Sequence, residues 1–290
     1  MSIQHYRLGC PIWSNRDWIG RFFSADRSSQ LLHQYSSVFN TVEGNTTFYG
    51  LPHYDVASRW NAEAAAGFQF CFKFPQTITH ELHLRDAGAE TQAFFDRMSL
   101  LGEHLGPLWL QLPPTFSPAE LPILEAYLAS LPEEFEYAVE VRHPDFFDRG
   151  EAEQELNELL QGRGIDRIIL DSRALFSASP NDDDTREAQR KKPRLPVHTM
   201  TTGRRPCVRF IGHPDIASNR PFLEPWVRQV AQWITAGLTP YIFTHTPNNR
   251  QAPELARLFH DLLKAQVDTV GELPPWPVTR RKDSGQIELF

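Results

Sequence analysis

The stretch FQFCFKF, residues 68–74, alternates four phenylalanines with three other residues. Successive side chains of a β-strand point to opposite faces, so this alternation predicts a strand with one wholly aromatic face. Four large aromatic side chains suit the space between a sheet and the helices that cover it. Lys73 then lies on the opposite, inner face, near the carboxyl end of the strand.

Seven more short apolar segments accompany this one, separated by longer segments of helical character. The eight predicted strands are residues 6–10, 40–45, 68–74, 108–112, 137–142, 167–171, 207–211 and 241–245. Seven of them precede a predicted helix, at residues 28–39, 54–65, 89–104, 118–131, 151–161, 223–236 and 253–265. Strands that alternate with helices indicate a parallel sheet, and eight strands, all but the sixth followed by a helix, predict an α/β fold, a (β/α)8 TIM barrel.

Two regions lie outside this alternation. Residues 172–205, after the sixth strand, carry the acidic run 182–184 and the basic run 190–192, and they predict an irregular or disordered insertion over one face. Residues 271–290 predict a proline-rich linker and a flexible C-terminal tail, which leaves residues 1–270 as a single barrel domain.

Composition limits the class of protein. The 290 residues are 41% hydrophobic, enough for one barrel of about 250 residues. The net charge of −7 disfavours nucleic-acid binding over the whole surface, although it does not exclude a local basic patch. The sequence shows no signal peptide, no apolar run of about 18 residues and no CxxC pair among its three cysteines. We therefore expect a soluble, cytoplasmic protein without a membrane segment, disulfide scaffold or zinc knuckle.

Strand alternation also predicts which polar side chains meet inside the barrel. The inward-facing set is Glu43, Asn45, Lys73, Gln111, Glu140, Arg142, Asp171 and Arg209. In TIM barrels the catalytic and ligand-binding groups come from the carboxyl ends of several strands. The three carboxylates and three cations could instead neutralise one another as structural ion pairs. Buried ion pairs are costly, however, so we interpret the cluster as a functional site.

The residue types suggest an anion-binding or acid–base site. Glu43, Lys73, Glu140 and Asp171 are the candidate catalytic residues. The candidate substrate-binding residues are Asn45, Gln111, Arg142, His143 and Arg209. Arginine forks bind phosphate or carboxylate groups, and a glutamate serves as general acid or base. This set is compatible with a hydrolase or an isomerase of a small phosphorylated or sugar-like substrate, including a glycosidase that uses Glu43 and Glu140.

The sequence assigns no cofactor. A divalent metal bound by the three carboxylates and either His143 or His213 is disfavoured, because the ligands form no tight motif and three cations oppose the metal. The chain has no GxSxG elbow, P-loop or GxGxxG fingerprint. His143, His213 and His245 are each more typical of structural roles, in which a histidine satisfies backbone groups near a strand end.

Four motifs follow one another along the chain. They are VEGNTTFY at 42–49, FCFKFP at 70–75, LQLPP at 110–114 and EVRH at 140–143. In this order they resemble the YecE-like family, also called domain of unknown function 72, from about Gly9 to about Ala265. The resemblance implies a barrel of this type and no established reaction. Two segments depart from the family pattern, RFIGH at 209–213 and THTPNN at 244–249, which leaves the roles of their histidines open.

The chain ends in QIELF, residues 286–290, after the basic run 280–282. These five residues resemble the short peptide by which bacterial replication and repair proteins bind the DNA sliding clamp. In such a complex Leu289 and Phe290 fill an apolar pocket and Gln286 makes the orienting hydrogen bonds. The alternative is a tail that folds back over the amino-terminal end of the barrel. The second functional hypothesis is therefore a clamp-associated accessory protein for DNA repair or replication.

Overall fold

A computed structural model describes residues 5–27 and 29–279 of the protein. It contains eight strands: β1 (Arg7–Gly9), β2 (Thr41–Gly44), β3 (Gln69–Phe72), β4 (Leu108–Gln111), β5 (Tyr137–Glu140), β6 (Asp166–Asp171), β7 (Cys207–Ile211) and β8 (Tyr241–His245). The α-helices of these residues are α1 (Leu31–Ser36), α2 (Thr46–Tyr49), α3 (Tyr54–Glu63), α4 (Gly88–Met98), α5 (Leu121–Ser130), α6 (Glu151–Gly162), α7 (Arg173–Ser177), α8 (Asp183–Lys191), α9 (Arg220–Thr235) and α10 (Ala252–Lys264). Each predicted strand is present, and each predicted crossover helix has a counterpart with shifted ends.

The core has two layers. The aromatic face of β3 packs outward against the helices, where Phe68, Phe70, Phe72 and Phe74 are all buried. The opposite faces of six strands form a separate inner cluster: Cys71, Trp109, Ala138, Ile168, Cys207, Tyr241 and Phe243. This apolar inner layer lies beneath the polar side chains at the strand ends.

The strands do not close into one eight-stranded barrel, so the prediction of a (β/α)8 TIM barrel is wrong. They form a six-stranded parallel sheet in the order β1-β8-β7-β6-β5-β4, which is a half-barrel, and a separate two-stranded parallel sheet of β2 and β3. The strand ladder is interrupted on both sides of the β2–β3 pair. Local chemistry explains each interruption.

Side chains replace ladder hydrogen bonds between β1 and β2. The Asn40 amide donates to the Tyr6 carbonyl at 2.9 Å and accepts the Leu8 N–H at 2.8 Å. The buried Tyr35 hydroxyl accepts the Cys10 N–H at 2.7 Å and donates to the first carbonyl of β2 at 3.1 Å. Backbone groups are thus satisfied without strand pairing, which a count of strands does not reveal.

Proline interrupts the ladder between β3 and β4. Pro107, directly before β4, has no N–H to donate, and proline is disfavoured inside a ladder for this reason. The Gly106 N–H donates to the Phe70 carbonyl at 2.8 Å, and Lys73 and Trp109 form an isolated bridge. The two sheets therefore lie side by side here without a continuous ladder.

The insertion after β6 is partly helical, so the prediction of an irregular or disordered segment is wrong for α7 and α8. Asp182 caps α8 by accepting the Thr185 N–H at 2.8 Å. Acidic residues in the first turn and basic residues in the last turn of α8 complement its dipole. The charge runs that suggested disorder thus stabilise helix ends, while residues 192–206 contain neither helix nor strand.

The described part of the proline-rich segment, residues 271–279, packs on the body of the protein. The ring of Trp276 lies 4.9 Å from that of Phe22, and Arg257 stacks over Trp276 at 3.8 Å. The predicted clamp-binding residues Gln286, Leu289 and Phe290 lie outside the described residues. Within the described ranges, no helix combines the length and apolarity needed to cross a membrane.

Candidate functional site

A cavity of about 660 Å³ opens at the carboxyl ends of the strands. Six of the predicted site residues line it: Glu43, Asn45, Lys73, Gln111, Arg142 and Arg209. A seventh, Glu140, is buried directly behind Arg209. The volume of the cavity falls within the range of about 300–1,000 Å³ that is typical of small-molecule sites.

Arg209 connects two strands that are not its neighbours. Its guanidinium donates to both oxygens of Glu43, at 2.7 and 3.0 Å, and to Glu140 at 2.6 Å. All three side chains are almost completely buried, since their exposed fractions are 2% or less. Glu140 also accepts from Arg142 at 2.7 and 2.8 Å. Strand alternation correctly predicted that these residues meet.

Lys73 lies beside this network. Its ammonium donates to the Gln111 carbonyl oxygen at 2.9 Å and pairs with Glu43 at 3.1 Å. Burial, together with the nearby charge of Arg209, lowers the pKa of Lys73 to about 8, against the opposing effect of Glu43. Lys73 is therefore a buried cavity residue whose pKa is lowered toward neutral pH.

Both glutamates are held in the ionised form. Burial alone would raise the pKa of Glu43, but Arg209, Lys73 and His245 outweigh burial and hold that pKa well below its usual range. The same balance, with Arg209 and Arg142 as partners, lowers the pKa of Glu140 to about 2. Neither glutamate can donate a proton at neutral pH, so they orient the surrounding cations instead.

Asp171 does not join the cluster, contrary to the prediction. It is paired in register with Phe210, whose side chain lies in the outer core. Its carboxylate accepts the Trp226 indole N–H at 2.7 Å and pairs with Arg173 at 2.8 Å. The three residues before Asp171, at 168–170, are all apolar, so they give no alternation from which the direction of this side chain could be inferred.

His143 also lies apart from the cavity lining. Its Nδ1 accepts the Asp145 N–H at 3.3 Å and so caps the short 3-10 helix Pro144–Phe146. His213 acts similarly, since its Nδ1 accepts the Asp215 N–H at 2.9 Å. Both side chains thus satisfy backbone groups.

His245 belongs to the site although it was not among the predicted site residues. Its Nε2 lies 2.8 Å from Glu43, and burial lowers its pKa to about 4. The neutral ring must donate this hydrogen bond, because the Glu43 carboxylate can only accept. Tyr241 and Phe243 lie in the inner layer, so strand alternation along β8 would have placed His245 on the same face.

Other lining residues come from loops and short helices, where no periodicity points to them. Lys191 and Lys192 reach the cavity from the end of α8 and the residue after it. The lining also contains aromatic side chains: Trp13, Phe48, Tyr49 and His80. The insertion after β6 thus supplies part of the cavity lining, through Lys191 and Lys192.

These positions change the charge balance expected from the sequence. Five cationic side chains line the cavity: Lys73, Arg142, Lys191, Lys192 and Arg209. Among the described lining residues Glu43 is the sole carboxylate, with Glu140 behind it. The expected balance of three acids and three bases becomes a clear excess of positive charge. The described residues also contain no group of three or more His, Cys, Asp or Glu side chains placed to hold a metal ion.

Comparison with known proteins places the chain in a family. A family model described as "Protein of unknown function DUF72" matches residues 7–281. The UPF0759 protein YecE of Escherichia coli K12 is 45% identical over 270 residues, which cover 93% of this chain and 97% of that protein. YecE of Escherichia coli O157:H7 is also 45% identical over 270 residues.

Two solved structures share the fold. A DUF72 family protein from Thermotoga maritima has a TM-score of 0.66 at 22% identity and covers 89% of this chain and 99% of its own. A second DUF72 family protein, from Enterococcus faecalis, has a TM-score of 0.66 at 17% identity. The match covers 93% of this chain and 98% of that protein's chain. At these identities the likeness is one of fold. The match over residues 7–281 and the 45% identity to YecE establish that the chain belongs to the YecE-like DUF72 family.

Proposed function

We propose that the cavity binds a small phosphorylated molecule. The observation that carries this proposal is the charge of its wall, where five cationic side chains stand against three carboxylates: Glu43 on the lining, Glu140 behind Arg209 and Glu187 paired with Lys191. Arg209 and Arg142 are already tied to glutamates, which fixes their positions. Such preorganised cations favour a compact anion, because their geometry does not have to be rearranged on binding.

Lys192 is the cation best placed to respond to the ligand. It is half-buried and makes no ion pair with any residue in the described ranges. Burial, and after it the charge of Arg209, lowers its pKa to about 7. A phosphate dianion beside it restores the protonated form, so binding above neutral pH takes up a proton.

The chemistry that these groups support is proton transfer at Lys73. General acid–base catalysis is most efficient when the pKa of the group lies near the working pH, and Lys73 meets that condition with a pKa of about 8. A glycosidase needs one protonated carboxyl group, which the ionised Glu43 and Glu140 do not supply. Of the two reaction classes predicted from the sequence, an isomerase-type proton transfer therefore fits better than glycoside hydrolysis.

Calorimetric titration with inorganic phosphate and ribose 5-phosphate tests the binding proposal. We expect both to bind, and Lys192→Gln to weaken binding at least about 10-fold by removing one phosphate partner. Lys264→Gln is the matched control, because Lys264 lies at the far end of α10 and pairs with Glu272 outside the cavity. Equal affinities for wild type and Lys192→Gln, or no binding of either compound, would refute the proposal.

A second proposal concerns a partner and depends on the sequence motif QIELF at 286–290. We propose that Gln286, Leu289 and Phe290 bind the bacterial sliding clamp. Surface plasmon resonance with immobilised clamp tests this with the full chain, with a variant lacking residues 286–290, and with Leu289→Ala/Phe290→Ala. Clamp binding that disappears in both variants supports the proposal. Absence of binding by the full chain, or binding unchanged in the variants, overturns it.

A further inference from the structure

The aromatic wall of the cavity, which consists of Phe48, Tyr49 and His80, takes no part in the proposed phosphate binding. The cations form a separate group, the cationic floor: Lys73, Arg142, Lys191, Lys192 and Arg209. Tyr49 is 77% exposed, more than any other large hydrophobic side chain in the described ranges. It stands at the end of α2, on the cavity lining. An exposed aromatic ring beside a cationic floor is the arrangement that binds a flat ring attached to a phosphate.

Ring contacts hold Tyr49 in place. Its ring meets that of Phe48 edge to face at 5.2 Å, and Phe48 meets His80 in the same way at 5.0 Å. Burial lowers the pKa of His80 to about 4, so this ring is neutral at physiological pH. The three rings therefore form a continuous uncharged surface that leaves one face of the cavity wall apolar.

The aromatic wall is fixed relative to the cationic floor. The buried hydroxyl of Thr47, within α2, donates to the Lys73 carbonyl at 2.7 Å. At the start of α2, the Asn45 amide donates to the Pro11 carbonyl at 2.9 Å. Tyr49 thus sits at a set position with respect to the cationic floor, which suits a ligand that contacts both.

We propose that the ligand is a nucleoside monophosphate whose base stacks on Tyr49 while its phosphate lies between Arg142 and Lys192. This inference rests on the proposed phosphate binding and adds that the phosphorylated ligand also carries a flat ring, the base. The excess of positive charge accommodates the phosphate dianion, and the uncharged rings accommodate a base of any identity, because every base has a π-face. Stacking on one side chain predicts little discrimination between the bases.

Titration calorimetry with inorganic phosphate, ribose 5-phosphate, AMP and CMP tests the inference. We expect AMP and CMP to bind about 10-fold or more tightly than ribose 5-phosphate, since stacking on one aromatic side chain is worth about that factor. Tyr49→Ala should abolish this advantage and leave the affinity for ribose 5-phosphate unchanged. Tyr49→Phe should keep the advantage, because the ring remains.

Tyr54→Ala is the control, since Tyr54 is 53% exposed and packs against Arg97 outside the cavity. Ribose 5-phosphate binding as tightly as AMP would overturn the stacking inference and leave the proposed function standing. A nucleotide preference that persists in Tyr49→Ala would also overturn it. If none of the four compounds binds, the proposed function fails together with the inference.

Discussion

Replacing Arg209 by methionine removes the centre of the buried network while keeping an apolar side chain of similar length. The guanidinium donates three hydrogen bonds, at 2.6, 2.7 and 3.0 Å, to two carboxylates. Removing one partner of a buried ion pair costs about 3–5 kcal/mol of unfolding free energy, because the other charge stays buried and unpaired. Here Glu43 retains Lys73 at 3.1 Å, and Glu140 retains Arg142 at 2.7 Å. We therefore expect the lower end of that range, about 3 kcal/mol.

Urea unfolding at pH 7 measures this loss. Arg220→Met is the control, because its pair with Glu224 is largely exposed and contributes less than about 0.5 kcal/mol. Glu43→Gln and the double variant Arg209→Met/Glu43→Gln complete a mutant cycle. Since the two side chains share hydrogen bonds, we expect the double variant to lose at least about 1.5 kcal/mol less than the sum of the single losses. Additive losses, or a loss below about 1 kcal/mol for Arg209→Met, would refute the reasoning.

Four further predictions follow from single contacts. The pKa of His245 is about 4 in the folded protein and about 6.5 in the unfolded chain, so the unfolded state binds more protons between these pH values. The free energy of unfolding should therefore fall by about 3 kcal/mol as the pH drops from 6.5 to 4. His245→Gln should flatten this part of the pH profile of urea unfolding. Tyr35→Phe leaves two buried backbone groups between β1 and β2 without a partner and should cost about 1–3 kcal/mol by the same method. Trp276→Ala should lower the unfolding free energy by about 1–3 kcal/mol through lost packing on Phe22; no change would show that residues 271–279 do not stabilise the body. Phosphate binding at pH 8 should take up a proton, seen as a calorimetric enthalpy that depends on the buffer's ionisation enthalpy, and Lys192→Gln should reduce this uptake.

Strand alternation predicted the directions of the polar side chains well where a strand has one clearly apolar face. The phenylalanines of β3 fix the direction of Lys73, and the alternation in β5 and β7 fixes that of Glu140 and Arg209. The same rule gave no direction for Asp171, because the three residues before it in β6 are all apolar, and the prediction failed there. Alternation would also have indicated His245 if the aromatic residues of β8 had been taken as inward, but the sequence analysis did not make that prediction.

The number of strands did not predict whether the sheet closes into a barrel. Eight strand–helix units indicate eight strands, yet their pairing depends on individual backbone groups near the strand ends. Asn40 and Tyr35 satisfy those groups between β1 and β2, and Pro107 lacks the N–H that would extend the ladder into β4. None of these residues alters the hydrophobic period from which strands are predicted. The resulting six-stranded and two-stranded sheets still bring their strand ends to one cavity.

The origin of the excess positive charge supports the proposal that the cavity binds an anion. The buried network of Glu43, Glu140, Arg209 and Arg142 is balanced in charge, so it needs no further cation. Lys192 comes from the insertion after β6, outside the eight strand–helix units, and lacks a counter-ion in the described ranges. Burial and the charge of Arg209 disfavour the protonated form of Lys192, and an anion that binds only the folded state favours it. At a ligand concentration 100 times the dissociation constant the folded state gains about 2.7 kcal/mol of stability.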